Sequence, residues 1–130
     1  MTRVASPRQR VSSGSPWEGP YGYSRAVVVG DTCWVAGTTD PGYEHLGDAA
    51  AQARAALGII ERALTEAGFR LADVVRTRMY VTDAAAAGPV AEVHGEVFRD
   101  IRPAATLVVV AALIEPSLLV EIEVDAVRDG

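Results

Sequence analysis

The sequence predicts a single α+β domain in the order β-β-α-β-α-β-β, a mixed sheet with two helices packed on one face. Three observations carry this expectation. Two apolar runs meet at Gly30-Asp31, the spacing of a tight hairpin. One long stretch from Asp48 to Gly68 has helical periodicity and a cap at each end. Strand-like segments then alternate with a second helical pattern. The chain has 130 residues, the size of one domain, and 49% of them are hydrophobic, enough for a single core.

Residues 1 to about 20 are rich in Ser, Pro, Gly and Arg without periodicity, which predicts a flexible or extended arm before a domain spanning 21–130. Trp17 stands out in that arm, because a large aromatic gains by covering a surface. Strands follow at Ala26–Val29 and Thr32–Ala36, then a Gly- and Pro-rich loop from Gly37 to Gly47. Asp48 is placed to accept from a free N–H of the first turn of a helix over 49–67. Ala53, Leu57, Ile60 and Leu64 make its apolar stripe, with Gln52 and Glu61 off it, and Gly68 suits a left-handed C-terminal cap.

Val74–Val81 reads as an alternating strand, with Val75, Thr77, Met79 and Val81 on one face and Val74, Arg76, Arg78 and Tyr80 on the other. Gly88-Pro89 opens the second helix, whose buried side is Val90, Val93 and Val97 with Phe98 beside it. Thr106–Leu113 lacks polar alternation, so both faces are expected to be covered. The last strand, Leu118–Val127, sets Glu121, Glu123 and Asp125 on one face. Two helices cover only one side of such a sheet. The Val-rich segment 106–111 would then be bare on the other side, as at a subunit interface, so a homo-oligomer with a site between subunits is expected.

Composition narrows the function. The formal net charge is −5 and none of the 12 basic residues is a lysine, which argues against a nucleic-acid surface. No apolar run approaches a membrane span, no apolar segment follows the charged first residues as in a secretion signal, and the cytoplasm is the expected compartment. Cys33 is the single cysteine, so no internal disulfide forms; inside a strand it reads as a buried, inert thiol. His45 and His94 lack a second ligand at a metal-binding spacing, and no expectation of a metal or cofactor arises. Glu121 and Glu123 remain. They form either a solvated strand face or a carboxylate site in which one of them holds or activates a water.

The segments GYSRAVVVGDTCWVAGTT, AQARAALGIIERALTEAGFRLADVVRTRMYVTD, RPAATLVVVAAL and LVEIEVDAV, in this order, resemble the Rid/YjgF family over residues 21–128. The resemblance implies a chorismate-mutase-like fold and a homotrimer with ligand clefts between subunits. It also implies hydrolysis of reactive enamines and imines, such as 2-aminoacrylate, to 2-keto acids and ammonia without metal or cofactor. Carried over by motif, Tyr23 and Glu121 are the residues of that chemistry, and Ala36, Gly37, Ala105, Thr106 and Val109 line the small-molecule site.

The family's arginine clamp for a substrate carboxylate is missing. Its Pro-Ala-Arg motif reads Pro103-Ala104-Ala105-Thr106 here, and Ala36, Ala91 and Val109 replace further polar residues of the pattern. Losing one buried charge-assisted contact costs about 2–4 kcal/mol of binding, on the order of a hundredfold or more in affinity. Two expectations follow: a divergent hydrolase of uncharged or more apolar imines, or a non-catalytic binding trimer. Arg25, Arg76, Arg78 and Arg102 are candidates for a replacement cation.

Overall fold

The computed structural model describes residues 7–129. The chain forms β1 (Gln9–Val11), α1 (Glu18–Tyr21), β2 (Ala26–Val29), β3 (Thr32–Thr38), α2 (Ala49–Glu66), β4 (Val74–Val81), α3 (Ala87–Phe98), β5 (Ala104–Val109) and β6 (Val120–Val127). From β2 to β6 this is the expected β-β-α-β-α-β-β order. The six strands make one mixed sheet in the order β1-β2-β3-β6-β4-β5.

Local chemistry accounts for the elements. Gly30 takes φ 59° at the first central position of the β2–β3 hairpin, where a side chain would be strained. Asp48 accepts from the Ala51 N–H and starts α2. At the other end Gly68, at φ 85°, donates to the Thr65 carbonyl while Phe69 donates to that of Leu64. This paired capping lets the chain reverse without orphaned carbonyls. The Arg128 guanidinium ties that corner to the hairpin, donating to Gly68 O and Gly30 O and lying 4.2 Å from the centre of the Phe69 ring.

The last strand in sequence is central in space. β6 runs antiparallel to both β3 and β4, and β5 lies parallel to β4 at the edge. The core lies between α2, α3 and one face of the sheet, where Leu57, Ile60, Leu64, Val90, Val93 and Phe98 meet Ile122 and Val124. Thr77 and His94 join inside it, Oγ1 to Nε2 at 2.8 Å.

Several expectations are corrected. The segment before residue 21 is not wholly an unstructured arm: β1 extends the sheet through β2, and α1 follows, with Trp17 stacked on Tyr21 at 5.6 Å. Residues 1–6 lie outside the described residues. β3 runs on to Thr38 instead of ending at Ala36. In β4 an irregularity between Val74 and Arg76 reverses the expected facing at the start, burying Val74 and leaving Val75 47% exposed. α3 begins at Ala87 after a turn capped by Asp83, so Pro89 falls within the first helical turn, where its missing N–H leaves no bond unmade.

β5 is the largest difference. It covers Ala104–Val109, and because it is the edge strand, this chain covers neither face fully: Val108 is 41% and Val109 54% exposed. Gln52 also departs from its expected surface position. It is buried, donating to His45 O and Ser117 O and accepting from Leu119 N, so one side chain ties three backbone groups of two loops together.

Candidate functional site

The uncovered face of the sheet carries the charge. Along β6 Val120, Ile122 and Val124 turn to the core, while Glu121, Glu123 and Asp125 are half-buried on the open side. Arg78 of β4 lies 3.6 Å from Glu123 and 3.3 Å from Asp125. The Tyr80 hydroxyl donates a short bond to Glu123, and Arg76 donates to Thr106 Oγ1 at 2.7 Å. The bond to Glu123 is the main cause that raises the Tyr80 pKa.

Glu121 is set differently. It pairs with Tyr80 in the ladder and leans toward β3. There the register jumps between Val35 and Thr38, so Ala36 and Gly37 together face Glu123 in a bulge. A Cβ on Gly37 would collide with Glu121 Oε2. Glycine at this position brings backbone directly against a carboxylate. Burial first, and the neighbouring Glu123 second, raise the Glu121 pKa above its usual 4.5, while Arg25 opposes them.

Arg25 reaches the same bulge. Its Nη1 donates to Gly37 O at 2.9 Å and to Thr38 Oγ1 at 2.8 Å, with a longer bond to Ala36 O. The Tyr23 ring lies 5.9 Å from this guanidinium, and the Tyr23 hydroxyl is 3.3 Å from Ser15 Oγ. Tyr23 and Ala36 border a shallow groove with Val27, Trp34, Glu123 and Asp125.

Of the residues expected at the site, Gly37 and Glu121 meet between β3 and β6, while Tyr23 and Ala36 border the groove beside Glu123. Within one chain the fold does not bring Ala105, Thr106 and Val109 to them. Those three lie on β5, paired with Thr77, Arg78 and Val81, and β4 stands between β5 and β6. Sequence reasoning missed Tyr80 as the partner of Glu123, since only the antiparallel register reveals it. Arg25 was one of four candidate cations. Its selection depends on the bulge, for which a glycine at the end of an apolar strand was the available signal.

The remaining candidates are structural. Burial lowers the His94 pKa, and Thr77 satisfies its Nε2. Burial pushes the Cys33 thiol up to about 11, which keeps it protonated and unreactive. Among the described residues no three His, Cys, Asp or Glu side chains are grouped to hold a metal, and no helix is long and apolar enough to cross a membrane.

Comparison with known proteins agrees with this architecture. The family model described as Endoribonuclease L-PSP matches residues 18–128. Protein SCO2049 of Streptomyces coelicolor is 40% identical over 123 residues, 92% of each chain. The crystal structure of Rv2704 from Mycobacterium tuberculosis, a member of the YjgF/YER057c/UK114 family, superposes with a TM-score of 0.87. It is 55% identical, and the match covers 94% of this chain and all of that one. A shorter match, 40% identical over 78 residues, spans 60% of this chain and 61% of the 3-aminoacrylate deaminase RutC of Acinetobacter baylyi. The chain belongs to the Endoribonuclease L-PSP family, the YjgF/YER057c/UK114 proteins, and has their chorismate-mutase-like α+β fold.

Proposed function

We propose that the protein is a metal-free hydrolase of enamines and imines, acting in a cleft between subunits of a homotrimer. The observation that carries this reading is the Glu121 carboxylate, half-buried, raised in pKa and seated against the Gly37 backbone on the uncovered face of the sheet. A carboxylate so placed suits general-base work near neutral pH.

In the proposed reaction Glu121 takes a proton from water as the water oxygen bonds to the imine carbon, and the C=N electron pair moves to nitrogen. Glu121 gives this proton to the nitrogen, forming a neutral carbinolamine. Glu121 then takes the carbinolamine hydroxyl proton as the C=O bond forms, and that proton passes to the nitrogen as the C–N bond breaks, so that a carbonyl compound and ammonia leave. An enamine enters by first taking a proton on carbon. Tyr23 and Ala36 border the groove beside Glu123, and the Gly37 backbone lies against Glu121; the reading assigns all three to the ligand side of the cleft. Activity of this kind in the partly matching deaminase supports the reaction class.

The trimer accounts for the division of the site. Ala105, Thr106 and Val109 lie on an exposed edge strand, apart from Glu121 in the same chain. A neighbouring copy would supply them to the other half of the cleft. Ala105 brings no clamp guanidinium of its own, and the Arg76 guanidinium beside it is held by Thr106, so the preferred substrate is an uncharged or apolar imine and not a carboxylate-bearing one.

RNA cleavage, the activity named for the family model, fits less well. On the open face the Arg78 guanidinium is engaged by Glu123 and Asp125, and the chain's net charge is −5. A second reading, a binding trimer without turnover, is favoured by the single observation of Ala105 at the clamp position.

Two experiments test the proposal. Sedimentation at micromolar concentration is expected to give a trimer, and a stable monomer would remove the shared cleft. Ammonia release from freshly generated uncharged imines is expected above the spontaneous rate and to be abolished in Glu121→Gln. Ligand binding without turnover in both proteins would instead establish the binding module.

A further inference from the structure

Arg25 is the cation nearest the bulge, yet it is poorly placed to grip a ligand anion. A fork onto a carboxylate needs two N–H groups on one edge of the guanidinium. One edge pairs Nη1 with Nη2, and Nη1 already serves the bulge, at Ala36 O, Gly37 O and Thr38 Oγ1. The other edge pairs Nε with Nη2, and Nε is enclosed. Among the described residues, Arg25 Nε is the one buried side-chain nitrogen or oxygen atom without a hydrogen-bond partner. The guanidinium therefore faces inward, onto protein.

What it holds is the surface on which Glu121 rests. The Thr38 hydroxyl donates to Ala36 O, so the bulge carbonyls and the guanidinium form a closed set of bonds. The Gly37 α-carbon lies directly under Glu121 Oε2. The backbone of Arg25 is itself fixed, donating to Val11 O and accepting from Ala36 N. We propose that Arg25 is the positioning residue for Glu121. It locks the Ala36–Gly37 bulge in the conformation that seats the carboxylate, and it provides the positive charge facing it from the β2 side.

The other groups around Glu121 are Glu123 on the same strand and Tyr80 on β4, whose proton is directed to Glu123. Arg78 is engaged by Glu123 and Asp125. Arg25 is thus the one cation acting on Glu121 that no carboxylate within salt-bridge distance shares, among the described residues. This assignment deepens the hydrolase reading and rests on it for its functional meaning, but its test needs no turnover.

The test is a carboxyl-carbon and arginine-nitrogen NMR titration of the full chain, with the Glu121 signal assigned by its loss in Glu121→Gln. In the wild type the Arg25 Nε–H resonance is expected to shift at the Glu121 midpoint, and that step is expected to vanish in Glu121→Gln. In Arg25→Gln the Glu121 midpoint is expected to rise by roughly half a pH unit or more, with Arg25→Lys recovering part of the change. An Arg25 resonance that ignores Glu121 in the wild type, or an unmoved midpoint in a folded Arg25→Gln, would overturn the assignment. The wild-type measurement decides the matter even if Arg25→Gln does not fold. Absence of ammonia release would overturn the hydrolase reading while leaving the measured coupling between the two residues intact.

Discussion

Gly37 and Glu121 meet so closely across the β3–β6 ladder that the carboxylate fills the space a side chain at residue 37 would need. Gly37→Ala is therefore expected to push the Glu121 carboxylate aside, at a cost of about 1 kcal/mol or less, since the group that must move is the end of a flexible side chain. In a Glu121→Ala background most of that cost should disappear, because the colliding group is gone. A double-mutant cycle by urea denaturation measures this. Equal costs in both backgrounds would show that the contact does not govern the site.

The same carboxylate makes stability depend on pH. Its folded pKa is raised, by burial first and Glu123 second, so the folded chain holds the proton more tightly than the unfolded chain. The resulting stability is fully present below the usual 4.5 and is lost as pH rises through the folded value. Glu121→Gln should accordingly be more stable than the wild type at neutral pH, and the two should converge in acid. Denaturant midpoints across this range test the sign, and a variant less stable at neutral pH contradicts it.

His94 has the opposite dependence. Burial lowers its pKa below 6.5, so the folded chain disfavours the charged ring. That contribution is complete above 6.5 and fades as pH falls through the folded value. Thermal melts of His94→Gln should show a shallower loss of stability between neutral and mildly acidic pH than the wild type. Parallel curves would mean that His94 does not titrate in this way.

Gln52 is expected to be more important than its place on a helix surface suggested. Gln52→Leu removes the partners of Ser117 O, His45 O and Leu119 N together. The expected loss is roughly 2–4 kcal/mol, since buried backbone groups are left unpaired. Because Leu119 immediately precedes β6, hydrogen exchange should quicken from residue 117 to the start of that strand, next to Glu121. Unchanged exchange there would separate Gln52 from the site.

The sequence disclosed whatever local periodicity governs. The Asp48 cap, the Gly68 stop, the Gly30 hairpin and the three carboxylates of β6 all follow from spacing and turn chemistry, and all are present. It did not disclose what depends on pairing between distant segments. The central place of β6 and the partnership of Tyr80 with Glu123 are set by strand order and register, which no local pattern encodes, and the bulge at Ala36–Gly37 left the glycine as its one local signal. Val74 and Val75 show how one irregularity reverses a correct alternation. β5 differs from its expected bounds, while its exposure in one chain is the bare Val-rich segment that two helices on one face were expected to leave. Tyr23 and Glu121 became candidates through the family motifs and not through any local pattern. Arg25 acquires its role from three acceptors brought to it by the fold.

The most direct measurement is ammonia release from uncharged imines and from freshly generated 2-aminoacrylate, by the wild type, Glu121→Ala and Ala105→Arg. The wild type is expected to favour the uncharged imines. Glu121→Ala is expected to lose turnover of them, and Ala105→Arg to gain activity toward 2-aminoacrylate, by roughly tenfold or more if the guanidinium restores a charge-assisted contact. A wild type no faster than spontaneous hydrolysis on every imine, or a Glu121→Ala variant as active as the wild type, would contradict the account.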